Sequence, residues 1–147
     1  MIIDNPIILA VDDDDCASSL VSTVFERAGL VQPIQFARDG MEAIDYLSGT
    51  GAYSDRVQYP FPTIVLLDLN MPRKNGFEVL AWIRQQPGLK RLHVYVLSSS
   101  SQEEDIRRCY DLGASSYLVK PGNLEGLMNQ ARCLLAWLKL SHISPVA

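Results

Sequence analysis

The chain has 147 residues, of which 48% are hydrophobic and 20% charged, and its net charge is -4. This length suits one domain with its own core, so we expect a single domain over residues 1–147. The acidic balance and the lack of Lys/Arg runs exclude a protein that works mainly by binding nucleic acid. No signal peptide or bilayer-length apolar segment is evident, which predicts a cytoplasmic protein without a membrane partner. Three widely separated cysteines are expected to be reduced core thiols: Cys16, Cys109 and Cys133.

The first predicted strand and helix are separated by an acidic run. Residues 7–11 are apolar and rich in β-branched side chains, which predicts a strand that ends in four aspartates, residues 12–15. Apolar residues at helical spacing follow from Cys16, and Gly29 is typical of a helix end. We expect Asp14 and Asp15 to cap this helix, which leaves Asp12 and Asp13 at the end of the strand.

The second strand and helix are followed by an unusually long connection. Residues 34–37 predict a short strand, and apolar positions from Met41 onward predict a helix that ends at Gly49. Residues 48–62 are rich in Gly, Tyr, Pro and polar side chains. We therefore expect an exposed loop there, longer than the usual helix-to-strand connection.

The third strand leads directly into a single carboxylate. Residues 64–67 are four uninterrupted apolar residues, which predicts a strand buried on both faces with Asp68 at its carboxyl end. Met71-Pro72 then indicates a turn, and Asn75-Gly76 opens a helix that Pro87-Gly88 ends.

Two further strand and helix pairs complete the chain. Residues 94–97 predict a strand that runs into Ser98, and the spacing of Ser101 and Glu104 predicts a capping box for the next helix. Residues 115–119 predict the fifth strand, which brings Lys120 to its carboxyl end just before Pro121. A final amphipathic helix is expected from about residue 123.

Five alternations of strand and helix predict an α/β protein with a doubly wound parallel sheet and helices on both faces. The carboxyl ends of parallel strands share one edge, where ligands bind in such sheets. That edge is expected to hold Asp12, Asp13, Asp68, Ser98 and Lys120. Clustered carboxylates repel unless a cation intervenes, and Mg²⁺ prefers oxygen ligands. An aspartate there can accept a phosphoryl group whose charge the metal and a lysine neutralise.

Several short motifs together resemble the receiver domain of two-component response regulators, from Ile7 to about Leu138. The matching residues are Val11-Asp12-Asp13, Leu67 to Pro72 with Gly76, Ser98, Gly113-Ala114 with Tyr117, and Val119-Lys120-Pro121. The resemblance implies a flavodoxin-like (βα)5 fold with strand order 2-1-3-4-5. It also implies one receiver domain over residues 1–147, without an output domain.

The resemblance assigns a role to each matching site residue. Asp68 is the implied phosphoacceptor, and Lys120 is implied to pair with the phosphoryl oxygens. The Lys120–Pro121 peptide bond is implied to be cis. Ser98 and Tyr117 form the implied switch. The ligands implied for Mg²⁺, or Mn²⁺ in its place, are Asp12, Asp13, Asp68 and the main-chain carbonyl of Asn70.

The implied function is that of a signalling phosphoacceptor and not of an enzyme, since its chemistry is limited to its own phosphorylation and dephosphorylation. Its phosphoryl donor is a sensor histidine kinase. The long loop, with Tyr53 and Tyr59-Pro60, resembles that of stand-alone regulators paired with cyanobacterial and bacterial phytochromes. Further implied partners are a downstream phosphotransfer protein and a second copy, bound through the fourth helix, fifth strand and fifth helix.

Two alternatives remain open from the sequence. One is a receiver-fold binding module that works without phosphorylation. The other is a phosphotransferase enzyme with an aspartyl nucleophile, similar to haloacid-dehalogenase-like proteins. Such enzymes need a second acid two residues after the nucleophile, and Asn70 stands at that position.

Overall fold

A computed structural model describes residues 5–141, which form one five-stranded parallel sheet flanked by helices. The strand order is β2-β1-β3-β4-β5, so the predicted order is confirmed. The strands are β1 (Ile8–Val11), β2 (Gln35–Ala37), β3 (Ile64–Leu67), β4 (His93–Ser98) and β5 (Ser116–Val119).

Five α-helices alternate with the strands, and most of them begin at a polar side chain that accepts backbone N–H groups. The helices are α1 (Asp15–Arg27), α2 (Gly40–Ser48), α3 (Gly76–Gln85), α4 (Glu103–Asp111) and α5 (Leu124–Leu140), with short 3-10 helices at Gly51–Tyr53 and Pro87–Leu89. The capping side chains are Asp14 for α1, Asp39 for α2, Asn75 for α3 and Asn123 for α5. The predicted capping role of Asp14 is therefore confirmed.

Two hydrophobic cores lie on opposite faces of the sheet. Successive side chains of a strand point to opposite faces, so the four buried residues of β3 divide between both cores. Val65 and Leu67 join the core beneath α2, α3 and α4, whereas Ile64 and Leu66 join the core beneath α1 and α5. Burial of both faces explains the uninterrupted apolar run in β3.

The long connection after α2 is largely exposed, as predicted, and aromatic side chains attach it to α2. The rings of Tyr46, Tyr53 and Tyr59 lie with centroids 5.0–6.0 Å apart. The Tyr46 hydroxyl donates to the carbonyl of Pro60 at 2.8 Å, and the Arg56 guanidinium lies over the Tyr46 ring. Aromatic rings bury large apolar areas, so these contacts pack the loop against α2.

The start of α4 differs from the prediction, because Ser101 and Glu104 do not form a capping box. The residue before the first turn is Gln102, whose side chain makes no capping bond. Ser100 takes over instead: its hydroxyl donates to Asp105 at 2.7 Å and accepts the N–H of Gln102 at 3.3 Å. A serine one position earlier therefore organises this turn.

Two smaller expectations are also corrected. All peptide bonds within residues 5–141 are trans, including Lys120–Pro121, and trans is favoured by about 0.5–1 kcal/mol before proline. All three cysteines are free, but only Cys109 is buried, because Cys16 and Cys133 lie on exposed helix faces.

Among residues 5–141, no helix combines the length and apolarity needed to cross a membrane.

The edge strand β5 has two of its outward backbone groups occupied by side chains. The N–H of Tyr117 donates to the hydroxyl of Tyr110 on α4 at 3.1 Å. The carbonyl of Val119 accepts the side-chain amide of Gln130 on α5 at 2.9 Å. Both neighbouring helices are thereby attached to the free edge of the sheet.

Candidate functional site

Three carboxylates meet where the central strands β1 and β3 end. Asp12 and Asp13 follow β1, and Asp68 follows β3, its direct neighbour in the sheet. One oxygen from each of the three lies within 4.8 Å of the others. Asp13 is exposed while Asp12 and Asp68 are partly buried, so the cluster opens to solvent on one side.

Lys120 reaches the same cluster from the end of β5. Its Nζ lies 3.0 Å from Oδ2 of Asp12, and both side chains are largely buried. The backbone N–H of Lys120 also donates to the carbonyl of Ser98 at 2.7 Å, which fixes the end of β5 against β4. The structure thus brings the predicted lysine to the predicted acids.

The electrostatic environment makes ionisation of Asp68 unfavourable. Burial raises the pKa of this carboxyl group above its ordinary value, and the charges of Asp12 and Asp13 raise it further. Lys120 and the N–H of Leu69, which donates to Oδ1 at 2.9 Å, lower the pKa in opposition. The net shift is upward, so this site would gain from an additional positive charge.

The donor set fits a hard divalent cation. All three candidate ligands are carboxylate oxygens, and sulfur or imidazole donors are absent from the cluster. Oxygen-only sets of this kind suit Mg²⁺ and Mn²⁺ rather than softer metals. Asn70, the fourth predicted ligand, lies exposed on the loop that follows Asp68.

The two predicted switch residues both bind the backbone of Ser100. Ser98 is fully buried at the end of β4, and its hydroxyl accepts the N–H of Ser100 at 3.2 Å. The hydroxyl of Tyr117 donates to the carbonyl of Ser100 at 2.8 Å, and its half-buried ring packs on the core beneath α4. Displacement of the Ser98 hydroxyl would therefore disturb the residue that holds Tyr117.

The loop after β3 brings in contacts that the sequence did not reveal. Gly76 lies so close to the carbonyl of Asp68 that an added Cβ would be 2.2 Å from its oxygen. Arg73 forms an ion pair with the buried Asp39, with Nε 3.4 Å from Oδ2. Asp39 stands three residues before Glu42, a spacing that signals a helix start, but no pattern marks Arg73.

Two further polar residues, Asp15 and His93, have structural roles. Asp15 is the first residue of α1 and lies 3.6 Å from Arg38 in an exposed ion pair. His93 is half-buried and packs beside Tyr95 and Trp137, far along the sheet from the carboxylates. These contacts leave the acid cluster as the most developed polar site in the described part of the chain.

Residues 8–132 match the response regulator receiver domain family over most of the chain. The chain belongs to this family. Response regulators are the signalling proteins that interact with sensor kinases in two-component systems. The strand order and the position of the acidic cluster are those that the family resemblance predicted.

Several response regulators are similar to this chain over nearly its whole length. Response regulator Rcp1 of Synechocystis is 38% identical over 134 residues, which cover 90% of this chain and 89% of Rcp1. The structure of the phosphorylated cyanobacterial phytochrome response regulator RcpA is 34% identical, with a TM-score of 0.87 and coverage of 96% and 99% of the two chains. The Mn²⁺-bound form of Rcp1 is 36% identical, with a TM-score of 0.84 and coverage of 95% and 99%.

Proposed function

We propose that this receiver accepts a phosphoryl group on Asp68 from a sensor histidine kinase. The observation that carries this proposal is the convergence of Asp12, Asp13, Asp68 and Lys120 at one edge of the sheet. The structures of two relatives, RcpA in a phosphorylated form and Rcp1 in a Mn²⁺-bound form, support it.

The transfer needs a nucleophile and stabilisation of the phosphoryl charge. One carboxylate oxygen of Asp68 attacks the phosphorus of a phosphohistidine, the P–N bond breaks, and its electron pair returns to the imidazole nitrogen of the kinase. Lys120 supplies a positive charge at the same edge, where the phosphoryl oxygens require neutralisation.

The residues that would hold Mg²⁺ or Mn²⁺ are Asp12, Asp13, Asp68 and the main-chain carbonyl of Asn70. When bound, the cation neutralises phosphoryl oxygens and the mutual repulsion of the carboxylates. The raised pKa of Asp68 supports this assignment, because a bound cation would favour the ionised carboxylate that must act as nucleophile.

The signal passes from Ser98 to Tyr117. In the structure described, Ser100 connects them, since its N–H binds the Ser98 hydroxyl and its carbonyl binds the Tyr117 hydroxyl. When the Ser98 hydroxyl turns toward the phosphoryl group, the Ser100 backbone relaxes and Tyr117 is released. The result is a shift between two packings of the surface formed by α4, β5 and α5.

The partners proposed for this chain follow from its relatives and its exposed side chains. The kinase class proposed is a phytochrome, because RcpA is described as a phytochrome response regulator. The protein acts as a single receiver whose output passes through protein contacts, to a phosphotransfer protein or a second copy. Exposed apolar residues on α4, β5 and α5 support the second copy as a partner: Tyr110, Val119, Leu124, Trp137 and Leu140.

Phosphorylation by acetyl phosphate in the presence of Mg²⁺ tests the central proposal. Wild type should gain one phosphoryl group by intact mass, and Asp68→Asn should gain none. Asp111→Asn is the matched control, because it makes the same change at an exposed carboxylate on α4 and should label normally. Equal labelling of wild type and Asp68→Asn would contradict the assignment, and an unlabelled wild type would favour the phosphorylation-independent binding module.

A further inference from the structure

The loop that carries Asn70 contains a strained turn. The N–H of Lys74 donates to the carbonyl of Pro72 at 2.8 Å, which closes a turn of three residues. Arg73, at its centre, has φ 66°, and it is the one non-glycine residue with positive φ among residues 5–141. Three-residue turns of this kind are rare and strained, so they persist where surrounding contacts hold them.

The start of α2 makes those contacts. The Nε of Arg73 lies 3.4 Å from Oδ2 of Asp39, and an added Cβ on Gly40 would lie 2.2 Å from the carbonyl oxygen of Lys74. The strained turn is therefore in close contact with α2, and a charge pair links the two.

Asp39 is itself fixed. Its side chain is 11% exposed, and Oδ1 accepts the N–H of Glu42 at 2.8 Å while Oδ2 faces Arg73. Glu42 in turn accepts the hydroxyl of Tyr53 at 3.1 Å, which belongs to the packed loop after α2. A buried, hydrogen-bonded carboxylate is a rigid anchor for a charged side chain on a loop.

We propose that the ion pair between Arg73 and Asp39 positions the β3–α3 loop, residues 68–75, for cation binding. Arg73 and Asp39 are positioning residues: they touch neither the cation nor the phosphoryl group. Asp68 and Asn70 lie at the start of the same loop, so the pair holds the loop from its far side. The ion pair has this role only if the proposed cation site exists.

The sign of the effect separates positioning from simple electrostatics. Arg73 carries a positive charge beside an acidic site, so loss of that charge alone should tighten the binding of a dication. Loss of loop positioning should weaken it instead. The two explanations thus predict opposite changes in affinity.

Titration calorimetry with Mg²⁺ on the full chain tests the proposal. Arg73→Gly removes the guanidinium and relieves the strain at φ 66°, so the variant should fold with an unchanged or higher melting temperature. Its affinity for Mg²⁺ should nevertheless fall about tenfold, which is the smaller effect seen when residues that orient metal ligands are mutated. Arg73→Lys should recover much of that affinity, because the contact is made by one nitrogen.

Two further variants sharpen the test. Arg38→Ala is the matched control, since it removes a positive charge from an exposed ion pair near the same edge and should leave affinity unchanged or slightly higher. Asp39→Asn alone should lower the affinity for Mg²⁺. Added to Arg73→Gly, it should cause no further loss of affinity, because residues that act through one shared contact are not additive.

The outcomes are distinguishable. Wild type that binds no Mg²⁺ overturns the proposed cation site itself. Wild type that binds, with Arg73→Gly binding equally or more tightly, overturns only the positioning role. The positioning role is also overturned if the double variant, Arg73→Gly with Asp39→Asn, loses Mg²⁺ affinity by the product of the two single losses.

Discussion

The two ends of the parallel sheet use charged side chains in opposite ways. At the amino ends of β4 and β5, one half-buried arginine, Arg84, donates to the carbonyls of Gly113, Leu89 and Lys90 at 2.9–3.2 Å. At the carboxyl ends, one oxygen from each of three acids lies within 4.8 Å of the others, and one lysine pairs with Asp12. At the amino end, the positive charge of Arg84 is used in hydrogen bonds to backbone carbonyls. At the carboxyl end, three negative charges face one positive charge.

This difference shows where stability and chemistry are located in the fold. Burial lowers the pKa of Arg84 and of His93 at the amino end, and raises the pKa of Asp68 at the carboxyl end. Each shift reflects a charge that the folded state accommodates poorly. Arg84 makes three hydrogen bonds to backbone carbonyls, whereas Asp68 has one N–H donor and the charge of Lys120, and its net pKa shift stays upward.

Removal of the arginine should give the largest change in stability. Arg84→Ala should lower the free energy of unfolding by about 3 kcal/mol, because three carbonyls lose hydrogen bonds from a charged donor. Chemical denaturation followed by Trp fluorescence measures this change. Arg91→Ala, at an exposed arginine near the same end, should change stability by less than about 0.5 kcal/mol. Equal effects of the two substitutions would refute this role for Arg84.

At the opposite end, removal of a charge should stabilise the protein. Asp68→Asn should raise the melting temperature of the metal-free chain near neutral pH by about 3 °C, because a poorly solvated charge is removed. The folded pKa of Asp68 lies above 3.8, so its favourable contribution is present below that pH and is lost as pH rises through the folded value.

The gain from Asp68→Asn should therefore grow as pH rises above 3.8 and then level off. Excess Mg²⁺ should reverse the order of the two proteins, because the cation stabilises only a chain that retains its ligands. A melting temperature of Asp68→Asn that lies below wild type without metal would show that the carboxylate cluster is not repulsive. Differential scanning calorimetry over a pH series gives both results.

The smallest effect is expected at His93, where the sign is opposite. Burial, assisted by the charge of Arg84, lowers the pKa of His93 from 6.5, so the unfolded chain takes up a proton before the folded one. Stability is then lost as pH falls through 6.5. His93→Gln should reduce the fall in melting temperature between about pH 7.5 and about pH 5.5 by roughly 1 °C. An unchanged pH profile would assign that fall to other groups.

The fold could be predicted from the sequence because its central strands are buried on both faces. Continuous apolar runs in β1 and β3, each followed by acid, leave few alternatives to a parallel sheet. Predictions failed where local patterns compete. Ser101 has the spacing of a capping residue, but in the structure the hydroxyl of Ser100 forms the hydrogen bond to Asp105. The loop after α2 is exposed, as its polar and turn residues predict, but no local pattern showed that Tyr53 and Tyr59 pack on Tyr46 of α2.

The site was predictable to the extent that it lies at strand ends. Parallel topology alone places Asp12, Asp68 and Lys120 on one edge. The contact between Arg73 and Asp39 depends instead on a turn with positive φ and on the close approach of two loops. Neither property is encoded in a local pattern, so such partners become visible only in three dimensions.

The free edge of β5 limits how another molecule can associate with this protein. The N–H of Tyr117 and the carbonyl of Val119 are already hydrogen-bonded to the side chains of Tyr110 and Gln130. An added strand could therefore not form backbone hydrogen bonds with these two groups. Edge strands guarded in this manner resist uncontrolled growth of the sheet into aggregates. The surface formed by α4, β5 and α5 can thus expose apolar side chains and still be a poor template for an added strand.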